Sequence, residues 1–349
     1  MNDGGFMISF KNDYSEGAHE SILQALLDTN TEQMDGYGDD RLCIQATECL
    51  KDLFINPSID IHYFSGGTQT NLTAISAFLR PHEAVIAAET GHILVHETGA
   101  IEATGHKVIA VPTQTGKLSA QQIEAVMIAH EDEHMVLPKL VYVSNSTETG
   151  TIYTRKELDA IKLMSTKYNL YLYMDGARLG SAMTAADNDV NFEELTTLFD
   201  AFYIGATKNG ALLGEALVIC RDELKQYFRY HIKQKGALLA KGRLLGIQFL
   251  TLFKDDLYFD LARHANAMAS ELTRGIKACG YDFLIHSTTN QIFPILPNHV
   301  IDALTEDFDF YVWSTIDKEN SAIRLVTSWA TPQGSVDDFI HRLNRLSQR

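Results

Sequence analysis

Residues 171–178 read YLYMDGAR, and residues 202–214 read FYIGATKNGALLG. Each stretch is an apolar run of strand length that stops at a polar residue, which is Asp175 in the first stretch and Thr207 with Lys208 in the second. Charged side chains are mostly excluded from buried strands, but at the carboxyl end of a strand in an open α/β sheet they face the crevice where ligands bind. The two stretches therefore predict neighbouring strands that deliver a carboxylate and an amine into one site.

A carboxylate and an amine in one site suit pyridoxal phosphate chemistry. The amine of Lys208 can form a Schiff base with the cofactor aldehyde. The carboxylate of Asp175 can keep the pyridine nitrogen protonated, so that the ring draws electrons away from a bound amino acid. Either residue alone is equally consistent with an ordinary charge at a strand end, so this interpretation depends on the rest of the chain.

The composition describes a large acidic protein. The chain has 349 residues, 45% of them hydrophobic, and 29 basic against 45 acidic side chains give a net charge of −16. No basic tract stands out, which argues against nucleic acid or an anionic membrane as a partner. The four cysteines form no CxxC motif, which favours reduced thiols in a cytoplasmic protein. The first ten residues lack the bases of a signal peptide, and no run reaches transmembrane length.

Strand-like apolar runs alternate with helical patterns through the first two thirds of the chain. The further predicted strands are IDIHYF (59–64), AVIAA (84–88), KVIAV (107–111), LVYVSN (140–145) and ALVIC (216–220). Such alternation is typical of a mostly parallel sheet with helices on both faces. Ser119 with Gln122, and Thr154 with Glu157, predict capping boxes at the start of two of the helices.

The pattern changes in the last third, where long helical stretches (222–256 and 258–278) precede shorter strands. This change is typical of a second, smaller α+β domain. We therefore expect an N-terminal arm and helix over residues 1–30, with the first ten residues flexible, a large α/β domain over 31–250 and a small domain over 251–349.

Residues 66–71, GGTQTN, follow a predicted strand and open a predicted helix. Backbone N–H groups at a helix N-terminus attract an anion, and glycines let it come close, so this stretch is typical of a phosphate site. A plain β-to-α turn with Thr68 as the helix cap explains the same residues.

His92 lies at the start of GHILVHETGAIEATG (91–105), which we expect to be helical. A flat ring at this position could stack on a cofactor ring. His92, His96 and Glu97 could also indicate a metal-dependent hydrolase, which is the alternative from a different class of enzyme. Their order is not HExxH and no third ligand is evident, so we expect no metal.

Six short motifs, in order along the chain, carry a resemblance to a known family. They are YGDD (37–40), GTQTN (67–71), His92, DGAR (175–178), TK (207–208) and IRLVT (323–327). From about residue 11 to its end the chain resembles the low-specificity threonine aldolases of the β-eliminating lyase group, in the aspartate-aminotransferase-like superfamily of pyridoxal phosphate enzymes. The resemblance implies a homodimer or homotetramer with its sites at the dimer interface.

The resemblance also implies a role for each matching residue. Lys208 would carry the cofactor, Asp175 would pair with its pyridinium nitrogen and His92 would stack on its ring. The phosphate would be bound by Gly67, Thr68, Gln69 and the Thr207 hydroxyl, and by Lys241 from a neighbouring subunit. Arg178 would lie near the ring oxygen and the substrate carboxylate, which Arg324 would hold. Taken without the resemblance, Arg324 could be a strand-end cation on a sheet edge.

Two departures from the family pattern are visible. Family members usually have Ser-Asp-Thr near the N-terminus, where this chain has Asn12, Asp13 and Tyr14, although Asn12 could still donate a hydrogen bond to the substrate. They also commonly have a histidine near the substrate hydroxyl, where this chain has Glu148. Either Glu148 serves as the base, or His92 acts alone, or the reaction is different.

The expected reaction is retro-aldol cleavage of L-threonine or L-allo-threonine, a small amino-acid substrate, to glycine and acetaldehyde. β-Elimination or transamination would use the same Lys208 and Asp175, although no second arginine is clearly placed for the distal carboxylate of a transamination substrate. A non-catalytic scaffold is a third possibility, which the presence of both residues disfavours. The sequence leaves open whether Asp39 and Asp40 hold a cation.

Overall fold

The computed structural model describes residues 7–348. Up to residue 219 short strands and helices alternate in the predicted manner. In chain order they are β1 (Ile8–Ser9), α1 (Glu20–Asp28), α2 (Arg41–Leu53), β2 (Asp60–Phe64), α3 (Gly67–Phe78), β3 (Glu83–Ala88), α4 (His92–Val95), β4 (Lys107–Val111), α5 (Ala120–Ala129), β5 (Leu137–Ser144), α6 (Arg155–Lys167), β6 (Tyr171–Asp175), α7 (Leu179–Met183), α8 (Leu195–Leu198), β7 (Ala201–Gly205) and β8 (Glu215–Ile219).

Beyond residue 219 longer helices come first and short strands follow. In chain order they are α9 (Phe228–Gln234), α10 (Arg243–Phe253), α11 (Leu257–Ala278), β9 (Gln291–Ile292), β10 (Ile295–Pro297), α12 (Asn298–Leu304), β11 (Phe308–Asp309), β12 (Tyr311–Thr315), β13 (Asn320–Val326) and α13 (Gln333–Ser347). The stretch 222–256 is therefore not one helix. It is interrupted where Gly236 adopts a φ of 71°, a left-handed conformation that ends α9.

The large sheet has seven strands in the order β2-β8-β7-β6-β5-β3-β4. Pairing is parallel from β7 to β4, whereas β8 runs antiparallel to both β2 and β7. The central strands are apolar throughout, because helices cover both of their faces. In β6, Leu172 and Met174 pack into the core cluster on one face, while Tyr173 packs into the cluster on the other. The predicted mostly parallel sheet flanked by helices is confirmed.

A second, antiparallel sheet forms the C-terminal part of the molecule. Strand β13 pairs with β9, β10 and β12, and a separate core cluster lies between this sheet and the helices α11, α12 and α13. The predicted smaller C-terminal α+β domain is therefore present. The boundaries proposed for the domains, at residues 30 and 250, stay predictions. Within residues 7–348, no helix combines the length and the apolar character needed to cross a membrane.

The start of the described chain is not a free arm, contrary to expectation. Strand β1 pairs in parallel with β11, and the fully buried ring of Phe10 packs against Phe308 and Phe339. Apolar side chains at positions 8 and 10 explain this docking onto the C-terminal core. The rest of the predicted flexible segment, residues 1–6, lies outside the described residues.

The segment 91–105 is not one helix, again contrary to expectation. The single turn of α4 ends at Val95, and Thr98 and Gly99 beyond it adopt positive φ angles of 53° and 69°. A 3-10 turn follows at Glu102–Thr104. Left-handed residues cannot continue an α-helix, so the chain turns at this point and buries Glu97 against the sheet.

Candidate active site

A cavity of about 560 Å³ lies between the carboxyl ends of the parallel strands and the small sheet. The large domain contributes residues that follow β3, β5, β6 and β7, and the small sheet contributes residues of β9, β12 and β13. Five of the predicted site residues line it together: His92, Glu148, Arg178, Lys208 and Arg324. They come from five different segments, so the fold alone gathers them.

Asp175, the last residue of β6, is held by four donors. Its Oδ1 accepts hydrogen bonds from the Tyr203 hydroxyl and from the backbone N–H of Ala177 (3.0 Å). Its Oδ2 accepts from the Tyr142 hydroxyl (2.6 Å) and from Nδ2 of Asn71 (3.0 Å). A carboxylate offers about four acceptor positions, so donors of the protein fill those of Asp175.

Two opposing effects set the pKa of Asp175. Burial alone would raise it, but the positive charge of His92 and the hydrogen bonds from Tyr142, Tyr203 and Asn71 outweigh burial and hold the pKa below its usual value. Asp175 is therefore a buried carboxylate at neutral pH. A negative charge in this place can keep the nitrogen of a pyridine ring protonated.

Three tyrosines that support Asp175 were not identified from the sequence. Tyr142, Tyr173 and Tyr203 each lie two residues before the end of β5, β6 or β7. Because side chains alternate along a strand, each points to the same face as the residue that ends its strand. Tyr173 donates to Oδ1 of Asn71 (3.0 Å) and so orients the amide that Asp175 needs. A tyrosine two residues before each strand end was the signal available in the sequence.

Lys208 lies in the turn after β7. Burial and the nearby positive charge of Arg178 lower its pKa, although the carboxylates of Asp13, Asp175 and Glu215 oppose them. No carboxylate within residues 7–348 comes close enough to form an ion pair with its amine. An amine that loses its proton readily suits a lysine that must act as a nucleophile.

The neighbouring Thr207 is engaged inside the protein. Its hydroxyl donates to Oε1 of Glu215 (2.9 Å) and accepts from the N–H of Gly214 (3.0 Å). A hydroxyl has one proton to donate, so a phosphate oxygen would have to compete with Glu215 for it. Burial raises the pKa of Glu215 to about 8. Sequence reasoning missed Glu215, which reads as the polar first residue of an apolar strand.

The N-terminus of α3 approaches the Asp175 cluster closely. A Cβ atom on Gly67 would lie 3.0 Å from the Tyr203 hydroxyl, so glycine permits this approach. The first N–H groups of a helix have no partner inside it, which leaves those of Gly67, Thr68 and Gln69 available for an anion. The helix is preceded by Gly66 without a side-chain cap, so Thr68 does not act as the cap. The side chain of Gln69 is engaged elsewhere, because its Oε1 accepts a hydrogen bond from the Ser65 hydroxyl (2.8 Å).

Arg178 does not face the cavity as a free cation. It forms two hydrogen bonds to the buried carboxylate of Asp13, at 2.6 and 2.9 Å, and Asn290 donates to the same carboxylate at 2.9 Å. Burial opposes ionisation of Asp13, but the charges of Arg178 and Lys208 lower its pKa below the usual value. Asp13 was missed in the sequence because its partner lies 165 residues away.

Asn12 and Lys241 lie outside the cavity lining of the described chain. The side chain of Asn12 accepts from the N–H of Tyr14 (3.0 Å) and from the Ser15 hydroxyl (2.9 Å), which closes a local turn. Lys241 is exposed just before α10. The predicted contacts of both residues with substrate or phosphate stay predictions.

Arg324, on β13, is the cation that remains available. Its guanidinium donates to Oε1 of Gln291 at 2.5 and 3.2 Å and lies 5.7 Å from the ring centroid of Trp313. Within residues 7–348 it has no carboxylate partner. Burial and the charge of Arg178 lower its pKa to about 10, so it keeps its positive charge at neutral pH. This arrangement can bind a carboxylate.

Glu148 is held at the cavity by one of its oxygens. Oε1 accepts from the backbone N–H of His92 (2.9 Å) and from the Ser144 hydroxyl (2.7 Å), while the buried Oε2 has no partner in the described chain. Burial raises the pKa of Glu148 above its usual value. A carboxyl group whose pKa is raised in this way holds a proton more readily than an ordinary glutamate, which suits proton transfer at the cavity.

The sequence also indicated two places where a cation could bind. In the described part of the chain, no group of three or more His, Cys, Asp or Glu side chains is arranged to hold a metal ion. Glu97 turns its Oε1 to Asn71 and His92, and the ring of His96 is exposed. Asp40 caps α2 by accepting from the N–H groups of Leu42 and Cys43, and Asp39 pairs with Arg229.

Comparison with known proteins assigns the fold and the site to a family. The family model described as Beta-eliminating lyase matches residues 13–298. This chain is a beta-eliminating lyase family member. It is 30% identical over 328 residues to the low specificity L-threonine aldolase of Pseudomonas aeruginosa, a match that covers 92% of this chain and 93% of that protein. The predicted family is confirmed.

Two solved structures show how this lyase is related to others. A threonine aldolase from Leishmania major superposes with a TM-score of 0.96 at 49% identity, over 97% of this chain and 99% of that one. An aspartate aminotransferase from Thermus thermophilus superposes with a TM-score of 0.72 at 14% identity, over 98% and 92% of the two chains. The second match shows the fold alone, and it confirms the predicted aspartate-aminotransferase-like architecture.

The residues of this lyase fit pyridoxal phosphate. The charge of the ionised, buried Asp175 suits a protonated ring nitrogen, and the amine of Lys208 lies on the cavity, close enough for Asp175 to act on its pKa. The glycine-lined start of α3 offers free N–H groups to a phosphate, and the flat ring of His92 lies beside both charged groups. Each part of the cofactor therefore has a residue of suitable chemistry.

Proposed function

We propose that the chain is a pyridoxal-phosphate-dependent threonine aldolase, which cleaves L-threonine and L-allo-threonine to glycine and acetaldehyde. The names of the Pseudomonas and Leishmania relatives support this reaction. The observation that carries the proposal is the placement of Lys208 and the available cation Arg324 on one cavity, with the ionised Asp175 close enough to Lys208 to act on its pKa. An amine, a carboxylate and a carboxylate-binding arginine are what the reaction requires of the protein.

The cofactor would be held at four places. Nζ of Lys208 would bond covalently to its aldehyde carbon, Asp175 would face its ring nitrogen, and His92 would cover its ring. The phosphate would lie at the N–H groups of Gly67, Thr68 and Gln69, with the Thr207 hydroxyl and Lys241 of a neighbouring subunit as further ligands. When bound, the cofactor supplies a ring that stabilises the electron pair left on Cα when the Cα–Cβ bond breaks.

Arg324 is the principal group that orients the substrate. Its guanidinium has no carboxylate partner in the described chain, so the α-carboxylate of an amino acid completes its charge balance. Arg178 is already paired with Asp13. It therefore contributes positive potential to the cavity but no free pair of hydrogen-bond donors for the substrate carboxylate. Asn12 remains a further candidate ligand of the substrate. Holding the carboxylate fixes which bond of Cα lies across the cofactor ring.

Two side chains on the cavity can take the proton of the β-hydroxyl group. Glu148 has an unpartnered Oε2 and a raised pKa, and it occupies the place where family members commonly have a histidine. His92 lines the same cavity, and its backbone N–H anchors Glu148. The pair can therefore hold one proton at the reacting side, which general base catalysis requires.

The assembly and the location belong to the same proposal. As the family resemblance implies, we expect a homodimer or homotetramer whose sites include residues of a neighbouring subunit, with the exposed Lys241 as the candidate. All four cysteines are free thiols, which supports a reducing, cytoplasmic environment.

The test is an analysis of products. Purified protein loaded with pyridoxal phosphate is incubated separately with L-threonine and L-allo-threonine, and glycine and acetaldehyde are quantified. Equal amounts of both products support the aldolase, and the faster isomer gives its stereochemical preference. A yellow protein that releases neither product, but forms pyruvate and ammonia from serine or cysteine, would instead be a β-eliminating lyase with the same fold and cofactor.

A further inference from the structure

Glu97 is a buried carboxylate with an unusual set of contacts. It is 4% exposed and lies in the turn that follows α4. Its Oε1 contacts both Nδ2 of Asn71 and Nδ1 of His92, each at 2.8 Å. Its Oε2 is buried and has no hydrogen-bond partner in the described chain. A half-satisfied buried carboxylate reduces stability, so folding does not explain why a charge is placed here.

The contacts of Glu97 continue to Asp175. Asn71 has two hydrogens on Nδ2, and it donates one to Glu97 and the other to Oδ2 of Asp175 at 3.0 Å. One amide therefore bridges two carboxylates, and Tyr173 fixes its orientation through Oδ1. The resulting network runs without a break from the ring of His92 to Asp175 at the end of β6.

This network decides which nitrogen of His92 carries a proton. An amide NH₂ group only donates, and Oε1 of Glu97 accepts from it, so Oε1 acts as an acceptor toward Nδ1 as well. Nδ1 must then carry a proton, so in the neutral ring Nε2 is the nitrogen without one. Nε2 receives no hydrogen bond from a described side chain, and His92 lines the cavity.

We propose that Glu97 is a positioning residue that keeps a proton on Nδ1 of His92, so that Nε2 is the atom that accepts the proton of the substrate β-hydroxyl group. This rests on the proposed aldolase function and assigns its base. The O–H bond of the substrate breaks and an N–H bond forms at Nε2. The freed oxygen electron pair becomes the second C–O bond of the departing aldehyde as the Cα–Cβ bond breaks and leaves its electron pair on Cα. His92 then holds a proton that can return to Cα as glycine forms.

Several charged groups act on His92 at once. The groups that face it are Glu97 on its own loop, Asp175 at the end of β6, Lys208 after β7, Glu148 at its backbone N–H, and the ring of His96, whose centroid is 5.5 Å away. Burial lowers the pKa of His92, but the hydrogen bond that its Nδ1–H donates to Glu97 and the charge of Asp175 raise it above the ordinary value. Activity that needs an unprotonated Nε2 is consequently lost as the pH falls through this raised pKa.

The direct experiment measures the protonation of His92 itself. Exchange of the histidine C2 hydrogen for deuterium depends on ring protonation, and peptide mass spectrometry follows it at a single residue in the cofactor-loaded protein. We expect a midpoint for His92 above 6.5 in the wild type. Glu97→Gln keeps the shape and the Oε1 acceptor but removes the charge, so the midpoint should fall by about one pH unit or more. An unchanged midpoint would overturn the role of Glu97.

Two further variants separate positioning from structure. Glu83→Gln is the matched control, because Glu83 is also a buried carboxylate (6% exposed), yet its side chain contacts only the turn at Arg80. It should leave the His92 midpoint unchanged. Glu97→Asp retains the charge and should keep the midpoint near that of the wild type. If Glu97→Gln does not fold, a wild-type midpoint below 6.5 would by itself contradict the proposal.

The pH profile of kcat/KM tests the catalytic part. In Glu97→Gln the acidic limb should move to lower pH, and the plateau should fall about tenfold or more, because a weaker base removes the proton more slowly. A lower plateau with an unmoved acidic limb would contradict Nε2 as the acceptor. If the wild type cleaves neither threonine isomer, the proposed function fails, whereas the exchange midpoints still decide whether Glu97 positions His92.

Discussion

The two sides of the cavity differ in how completely their polar groups are paired. On the side of the large sheet, donors of the protein fill all acceptor positions of Asp175. On the side of the small sheet, Arg324 meets only the neutral amide of Gln291. Asp175 is fully paired without a ligand, and Arg324 is not.

The difference indicates what each side does. A fully paired carboxylate keeps its position and charge, which suits a constant cofactor. Buried groups without partners lower the free energy of unfolding until a ligand satisfies them, which suits a substrate that comes and goes. Lys208 lies between the two sides and would be shared by both. Four substitutions test this difference between Asp175 and Arg324.

Lys208→Ala should have the largest effect. We expect it to abolish the yellow absorbance of the loaded protein and to reduce kcat at least about a thousandfold, because the covalent anchor and the nucleophilic amine are both lost. Absorbance spectra and product assays measure the two effects. The exposed Lys254→Ala is the control and should change neither. A yellow, active Lys208→Ala protein would exclude Lys208 as the anchor.

Asp13→Asn tests whether the protein is stabilised by Asp13 because this carboxylate compensates the buried charge of Arg178. The two side chains are only 1% and 12% exposed, so removing one charge leaves the other buried without compensation. We expect the free energy of unfolding to fall by about 3 kcal/mol in urea denaturation. Asp260→Asn removes one partner of an exposed ion pair with Arg263 and should cost less than about 1 kcal/mol. Equal costs for both variants would contradict this account of Arg178.

Arg324→Lys tests the unpaired side. Lysine keeps the charge but loses the planar fork that matches a carboxylate, so KM for the amino acid should rise about tenfold or more while kcat changes less. Steady-state kinetics measure KM and kcat separately. Arg342→Lys, on α13 and paired with Glu306, should leave KM unchanged. The assignment fails if Arg324→Lys binds substrate as tightly as the wild type does.

Tyr142→Phe tests the paired side and should have the smallest effect. It removes one of the four donors to Asp175, so the unloaded protein should lose about 1.5 kcal/mol of unfolding free energy. The ring nitrogen of the cofactor can fill the vacated position, so the loss should shrink when pyridoxal phosphate is bound. Tyr153→Phe removes a buried hydrogen bond that the N–H of Leu118 donates and that does not involve Asp175, so its cost should not depend on the cofactor. A cofactor-independent loss in Tyr142→Phe would argue against this role.

The sequence predicted those features that local patterns encode. The apolar runs gave the strands, and both predicted capping boxes, Ser119 with Gln122 and Thr154 with Glu157, are present. Asp175 and Lys208 could be identified because each follows a strand directly. Strand ends meet at one edge of a parallel sheet, so neighbouring polar endings converge without any knowledge of tertiary contacts.

Features that depend on distant partners could not be predicted. Asp13 pairs with Arg178 across 165 residues, and the sequence pattern directed attention to its neighbour Asn12 instead. The donors of Asp175 come from β5, β7 and α3, and their hydroxyl and amide groups lie within otherwise apolar or helical stretches. The helical expectation for 91–105 failed for a local reason, since a non-glycine residue, Thr98, adopts a positive φ there.

The most direct test of the central claim locates the cofactor on the chain. Protein loaded with pyridoxal phosphate is reduced with borohydride, which fixes the cofactor covalently to the amine that carries it, and is then digested for peptide mass spectrometry. The account predicts a single pyridoxyl-phosphate modification, on Lys208. Modification of a different lysine, or none in a protein that binds the cofactor, would contradict the assignment of this cavity as the active site.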